Sequence, residues 1–287
     1  LRLAHALEQL KVHYDFTPVV TGFIAKDANG AITTLGRGGS DLTAAVLGAA
    51  LHADEIQVWK DVDGILTTDP RITPAARPVS QITFEEAFEL AYYGAKVLHP
   101  LAMQPAMKEN IRVRVKNSYN PDHPGTIIGS TASTEGIVKA ITCKRNVTLI
   151  DIVSTRMLGQ HGFLANLFRI FADYHISVDM VATSEVSVSL TLNQGSLPDD
   201  MLGELRKISH VSVSQGKSVL GIIGDIKRSS EILNMTFRIL SDLGVNVQMM
   251  SQGASKVNIG LIVEDSQAEW CVRELHRCFF EEPKMAA

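Results

Sequence analysis

Phe168-Arg169-Ile170 recurs as Phe237-Arg238-Ile239, Asp173 recurs as Asp242, and Met180 recurs as Met249, all at one spacing of 69 residues. A repeat of this length means that the same supersecondary unit is built twice, which limits the fold more than composition does. The hydrophobic periodicity says what the unit is. Segments with period 2, such as SVDMV, SVSLTL and VNIGLIV, alternate with segments of period 3.6. The first copy reads as strand 147–154, helix 162–173, strands 177–183 and 186–192, helix 199–208 and strand 210–214. The second reads as strand 218–225, helix 230–241, strands 245–251 and 256–263, and helix 266–280.

Each copy therefore has a β-α-β-β-α-β, ferredoxin-like order. The second copy lacks its last strand, and a spare one, Ile137–Lys144 (IVKAITCK), precedes the first copy. An open edge exposes unpaired backbone groups. The spare strand is expected to fill that edge, so that the first unit is inserted within the second.

Upstream of the repeat the pattern changes to alternating strands and helices. Residues 1–11 look like the end of a helix and Pro18–Ile24 like a strand. Asn29-Gly30 predicts a type I′ hairpin turn. A glycine-rich turn follows, and Ser40 and Asp41 are candidate N-caps for a helix to about His52. Glu55–Trp59 and Ile111–Val115 read as strands, with helices near 83–94 and 99–110. This alternation predicts a mainly parallel sheet covered by helices. Residues 117–136, rich in Pro, Gly, Ser and Thr, read largely as a linker.

Composition narrows the function classes. The net charge of −4 over 287 residues offers no basic footprint for nucleic acid or an anionic membrane. No apolar run approaches the roughly 18 residues that span a bilayer. Three cysteines, Cys143, Cys271 and Cys278, form no disulfide framework. Cys271 and Cys278 suggest core packing on one helix face rather than metal binding.

Three segments carry candidate chemistry. Thr33-Thr34-Leu35-Gly36-Arg37-Gly38-Gly39-Ser40-Asp41 joins a strand to a helix. Glycines admit a ligand close to the backbone, the helix start offers N–H donors, and Arg37 supplies a planar fork for a carboxylate or phosphate. A tight turn with an exposed arginine is the plainer alternative. Trp59-Lys60-Asp61-Val62-Asp63-Gly64-Ile65-Leu66-Thr67-Thr68-Asp69-Pro70-Arg71 follows a strand, where open α/β sheets bind ligands. Its cations and carboxylates suit a nucleotide with Mg²⁺, or simply a solvated polar loop. Gly94-Ala95-Lys96-Val97-Leu98-His99-Pro100 places Lys96 at a helix end, within reach of phosphates or as a cation on the helix terminus.

In this order and spacing, TTLGRGGSD, W-x-DV-x-GI-x-TTDPR and GAKVLHP resemble the aspartate kinase family, and VATSEVSVSLTL resembles its regulatory tail, a pair of ACT domains. The resemblance covers essentially the whole chain. It implies the C-terminal part of an amino acid kinase domain over 1–131, a linker and donated strand over 132–146, and ACT domains over 147–216 and 217–287. It implies ATP-dependent phosphorylation of the β-carboxylate of L-aspartate, with Mg²⁺ accompanying ATP and no metal held by the protein itself. Arg37, Gly38, Gly39 and Ser40 would bind aspartate and Asp41 would orient the catalytic groups. Lys60, Asp61, Leu66, Arg71 and Lys96 would contact ATP. Leu66 stands where the family often has an aromatic residue, and Lys60 replaces a common small polar one.

An effector site is implied from Met157, Gln160, Phe163, Leu164, Ser177, Val178, Asp179, Ser184 and Glu185. Two carboxylates, Asp179 and Glu185, suit L-lysine, with threonine and S-adenosylmethionine as alternatives. The second repeat has Asp225–Ser230 at the equivalent loop and is expected to be structural, pairing in a homodimer. Nothing in residues 1–30 matches the family's Lys-Phe-Gly-Gly-Thr-Ser stretch, so this chain by itself is expected to lack kinase activity. The plant-like tail implies a plastid protein, or a cytoplasmic one outside plants. A regulatory module that binds an amino acid without catalysis is the rival reading.

Overall fold

The structure, a computed structural model, describes residues 17–94, 98–131, 136–159, 161–193, 195–224, 226–253 and 258–282. The chain divides into two compact units, 1–140 and 141–287. The helix expected over 1–11 lies outside the described residues.

The first unit holds a hairpin, β1 (Ile24–Lys26) and β2 (Ile32–Thr34), and helix α1 (Gly39–Ala50). It continues with β3 (Glu55–Lys60), β4 (Gln81–Thr83), α2 (Phe84–Tyr92), α3 (Pro100–Lys108), β5 (Arg112–Asn117) and β6 (Thr126–Gly129). The hairpin turn is not type I′. Only Gly30 has positive φ, at 84°, and the Asp27 carboxylate accepts from the amides of Asn29 and Ala31. Aspartate capping replaces the left-handed asparagine that a type I′ turn would need.

The four strands run in the order β3-β5-β6-β4. Pairs β3–β5 and β4–β6 are parallel and β5–β6 is antiparallel, so the sheet is mixed rather than mainly parallel. The difference comes from β6, which lies inside the stretch taken for a linker. Its Thr126 is fully buried, accepts from the Ile65 amide (2.8 Å) and donates to the Val79 carbonyl (2.7 Å). A four-residue strand amid Pro, Gly and Ser has too short a pattern to be seen in sequence. Helix α1 lies against β3, and a Cβ on Gly48 would come within 2.5 Å of Ile56, so glycine sets their approach.

The second unit is one six-stranded sheet with helices. Its elements are β7 (Val138–Val153), α4 (Phe163–Asp173), β8 (Val178–Thr183), β9 (Ser187–Leu192), α5 (Asp199–Ile208) and β10 (His210–Gly224), then α6 (Ser229–Asp242), β11 (Met249–Ser251), β12 (Asn258–Glu264) and α7 (Asp265–His276). The order is β11-β12-β10-β7-β9-β8. β7 and β10 are each twice the usual length and lie side by side. Each bends where a residue takes positive φ, Asn146 at 57° in β7 and Gly216 at 68° in β10. Half of each strand thus serves one repeat and half the other.

The core of the first repeat gathers Ile150, Ile152, Phe163, Leu167, Val188 and Leu190. Cys143 and Cys271 are packed in, and burial pushes their thiols up to about 12 and about 11. All three cysteines are free thiols. No described helix is long and apolar enough to cross a membrane.

At the bend of β7 the Arg145 guanidinium pairs with Asp265 and Glu269 on α7, and Asp265 also accepts from the Asn146 amide and the Ser218 hydroxyl. These donors, Arg145 first, hold the Asp265 carboxyl down at about 2 against the usual 3.8. A carboxylate whose folded value is depressed stabilises the fold above its unfolded pKa and loses that contribution as pH falls through the folded one. The melting temperature of Asp265→Asn is therefore expected below wild type at pH 6. The gap should close as pH drops from about 4 towards about 2, as followed by circular dichroism.

Candidate functional site

The glycine-rich turn enters α1 through Gly38, whose φ of 76° and ψ of 9° make it a left-handed N-cap. Ser40 and Asp41, expected as caps, lie instead within the first helical turn. The cause is the turn itself: the Gly39 amide donates to the Gly36 carbonyl (3.0 Å) and the Leu42 amide to Gly38 (2.9 Å), so the helix starts before the polar residues arrive. No side chain caps this end. The amides of Ser40 and Asp41 have no hydrogen-bond partner among the described residues and remain available to an anion. Arg37 is exposed and makes no ion pair among the described residues.

Asp41 points to the end of β3. Its two carboxylate oxygens lie 3.2 and 3.1 Å from Lys60 Nζ, with about a fifth of the aspartate and a third of the lysine side chain exposed. This pair brings the glycine turn and the Trp59–Arg71 loop to one end of the sheet. Gly38 brings in the third segment. A Cβ there would sit 2.5 Å from His99 Cβ, so the turn is in contact with His99 of the Gly94–Pro100 stretch. The Nδ1 of His99 is buried without a partner. Lys96 lies outside the described residues.

The loop after β3 is tightly pinned. Ser118 donates to the Lys60 carbonyl from both its amide (2.8 Å) and its hydroxyl (2.9 Å). Asp63 accepts from the side-chain amides of Asn117 and Asn120, and the Asn117 bond foremost holds its carboxyl below the usual range. Leu66 bridges to Pro78 and is half-buried, its aliphatic side chain filling the position without a polar group. The Arg71 fork is exposed but engaged by Asp69, with Nη2 2.5 Å from Oδ2. Of the loop carboxylates, Asp61 is exposed and has no partner among the described residues. Among those residues no group of three or more His, Cys, Asp or Glu is placed to hold a metal. Asn117, Ser118 and Asn120 are the positions that sequence reasoning missed. They act by bracing the loop, and bracing leaves no motif of its own.

Eight of the nine residues proposed for the effector are described, and they fall into two groups. Met157 follows Ser154 at the far end of β7, and the Ser154 amide donates to the Val186 carbonyl. The start of α4, with Phe163 and Leu164, and the β8–β9 turn, with Ser184 and Glu185, lie at this end. Phe163 is a core residue and Leu164 is exposed. The Ser184 hydroxyl is spent on the turn, where it accepts from the Val186 and Ser187 amides, whereas Glu185 is exposed. Gln160 lies outside the described residues.

Ser177, Val178 and Asp179 begin β8, at the opposite end, where Val178 pairs with Leu192 and Leu192 with Thr148. At about 3.4 Å per residue the two groups are roughly 15 Å apart. One copy of the unit therefore does not bring all of them into one pocket. Asp179 is also already engaged: Lys144 Nζ lies 2.8 Å from Oδ2, and both side chains are largely buried.

A helix start open to an anion, an arginine with no ion pair among the described residues and a lysine–aspartate pair at one sheet end fit the amino acid kinase class of fold. The amino acid kinase family model matches residues 2–117, and an ACT domain model matches 150–198 and 220–279. The chain belongs to the aspartokinase family. It is 56% identical to chloroplastic aspartokinase 1 of Arabidopsis thaliana over 94% of this chain and 49% of that protein. It is 41% identical to lysine-sensitive aspartokinase 3 of Escherichia coli over 92% of this chain and 60% of that one. Among solved structures it resembles E. coli aspartokinase III in complex with aspartate and ADP, at a TM-score of 0.83 and 40% identity, covering 96% of this chain and 63% of that one. The same enzyme in complex with lysine and aspartate matches at 0.81 and 39%, covering 97% and 64%. The chain spans about half the length of the Arabidopsis relatives it matches.

Gly38→Ala is expected to lower unfolding free energy by about 1–3 kcal/mol, because alanine is strained at this φ and its methyl meets His99. Adding His99→Ala should recover only the steric part, as measured by chemical denaturation.

Proposed function

We propose that the complete protein containing this chain is an aspartate kinase that transfers the γ-phosphoryl group of ATP to the β-carboxylate of L-aspartate. The observation that carries this reading is the Lys60–Asp41 pair at the mouth of the glycine turn, which puts a cation and an anion-receiving helix start side by side. A carboxylate is already ionised at neutral pH, so its oxygen attacks phosphorus without a general base while the bond to ADP breaks. The work left to the protein is positioning and charge neutralisation. Arg37, the close backbone approach at Gly38 and Gly39 and the open Ser40 amide receive the substrate carboxylate. Asp41 aims the Lys60 ammonium at the phosphates. The exposed Asp61 faces solvent beside them, and Leu66 and Arg71 belong to the nucleotide side.

Oxygen donors suit Mg²⁺, and of the loop carboxylates Asp61 is the one left without an internal partner. When bound with ATP, Mg²⁺ supplies further charge neutralisation. The ADP complex of the E. coli enzyme supports the nucleotide assignment.

The second unit is read as the sensor, with domain limits at 1–131, 132–146, 147–216 and 217–287. L-lysine is the proposed effector, supported by the lysine complex of the E. coli relative. The two groups of candidate effector residues, at opposite ends of the unit, fit a site completed by a second copy. The same geometry supports a homodimer joined through the ACT units. The chloroplastic Arabidopsis relatives support a plastid location.

In the complete enzyme, Arg37→Ala should raise KM for L-aspartate about 10–100-fold, as expected for a lost charge-assisted bond of about 1.5–3 kcal/mol, and change KM for ATP far less. Equal shifts in both constants would remove Arg37 from the aspartate site. Glu185→Ala should relieve inhibition by L-lysine while uninhibited turnover stays near wild type. Steady-state kinetics with and without L-lysine distinguishes the outcomes.

A further inference from the structure

The Asp179 carboxylate already holds an ammonium group. Lys144 Nζ is 2.8 Å away, the lysine side chain is 14% exposed and the aspartate 8%. A second ammonium brought to this carboxylate would face a like charge at close range in a poorly solvated place, which is costly. We propose that Lys144 is a tethered competitor for the effector: it caps Asp179 in the ligand-free protein and is displaced when a cationic amino acid binds. This rests on reading Asp179 as part of the effector site.

Two further observations support the assignment. At the repeat spacing of 69 residues Asp179 corresponds to Gln248, so the equivalent strand position of the second copy carries an amide rather than a carboxylate. There the Gln248 amide donates to Glu264, which also takes the Lys217 ammonium. The lysine-on-aspartate arrangement belongs to the copy expected to sense. Lys144 is also followed directly by Arg145, which is clamped to Asp265 and Glu269, and by Asn146, where β7 bends. Displacing Lys144 thus undoes one of two clamps on the strand shared by both repeats, which gives ligand binding a route to the second repeat.

The cap lowers apparent affinity by the fraction of molecules in which Asp179 is open. By calorimetry on the 287-residue chain, Lys144→Met is expected to bind L-lysine about 5–30-fold more tightly than wild type. Lys144→Arg, whose fork grips the carboxylate more firmly, should weaken L-lysine binding while preserving the fold. Wild-type chain labelled with [ε-¹⁵N]lysine gives a second readout that needs no altered affinity. The protected Lys144 ammonium resonance, assigned by its absence in Lys144→Arg, should vanish when unlabelled L-lysine saturates the protein. A Lys144 signal that persists at saturation, or a Lys144→Met chain that binds L-lysine no more tightly, overturns the proposal and leaves the effector site standing. Absence of L-lysine binding by wild type and both variants removes the effector reading and this proposal with it.

Discussion

The pairing of β7 with β10 is the interaction on which the second unit depends. A three-stranded remnant with a bare edge would leave a row of amides and carbonyls unmatched. Here each long strand gives one half to each repeat, and the two cross the middle of a single six-stranded sheet. The Thr142 hydroxyl reaches the Gly221 carbonyl across this seam. The bends at Asn146 and Gly216 make the sharing possible, because a straight strand of 15 or 16 residues would twist past its partners. Asparagine and glycine occupy those positions because both tolerate left-handed backbone.

A shared central pair has a mechanical consequence. The repeats are not independent beads on a chain, since moving one half of β7 moves the other. The residues at the bend are accordingly charged and engaged, Lys144 towards β8 and Arg145 towards the start of α7. Partly buried pairs of this kind contribute modestly to stability but fix geometry. In the first unit the same logic appears on a smaller scale. A left-handed glycine starts α1 early, which sends Asp41 into the first turn and onto Lys60 rather than into a capping role.

What could be read from sequence followed the strength of local signals. Repeat spacing and alternating periodicity gave both ACT copies and most helix limits to within a residue or two, because those elements are long and amphipathic. The stretch 117–136 hid β6, where burial of Thr126 comes from partners some 47 and 61 residues away in sequence. The Asn29-Gly30 pair signalled a hairpin correctly, yet the turn class was set by Asp27, whose carboxylate outcompetes the local backbone preference. Motif residues Asp41 and Lys60, nineteen apart in sequence, meet in space, with the glycine turn that carries Arg37 at the same helix start. The braces around them, Asn117 and Ser118, come from distant segments and are legible only in three dimensions.

The effector residues carry the argument furthest. Sequence proximity suggested one pocket for Asp179 and Glu185, but strand geometry separates them within a single copy of the unit. A strand of six residues puts its ends on opposite sides of a sheet, and the two carboxylates lie on either side of that span. Their environments differ as sharply as their positions: Glu185 is solvated at a turn tip, while Asp179 is buried and neutralised by a cation from its own chain. In the proposed effector site, a ligand with two ammonium groups would meet one open carboxylate and one that must first be vacated. A site of the proposed kind would not be a rigid receptor: its affinity would be set jointly by the ligand's contacts and by how readily Lys144 lets go, so the strength of sensing would be adjustable at a residue that need not touch the ligand.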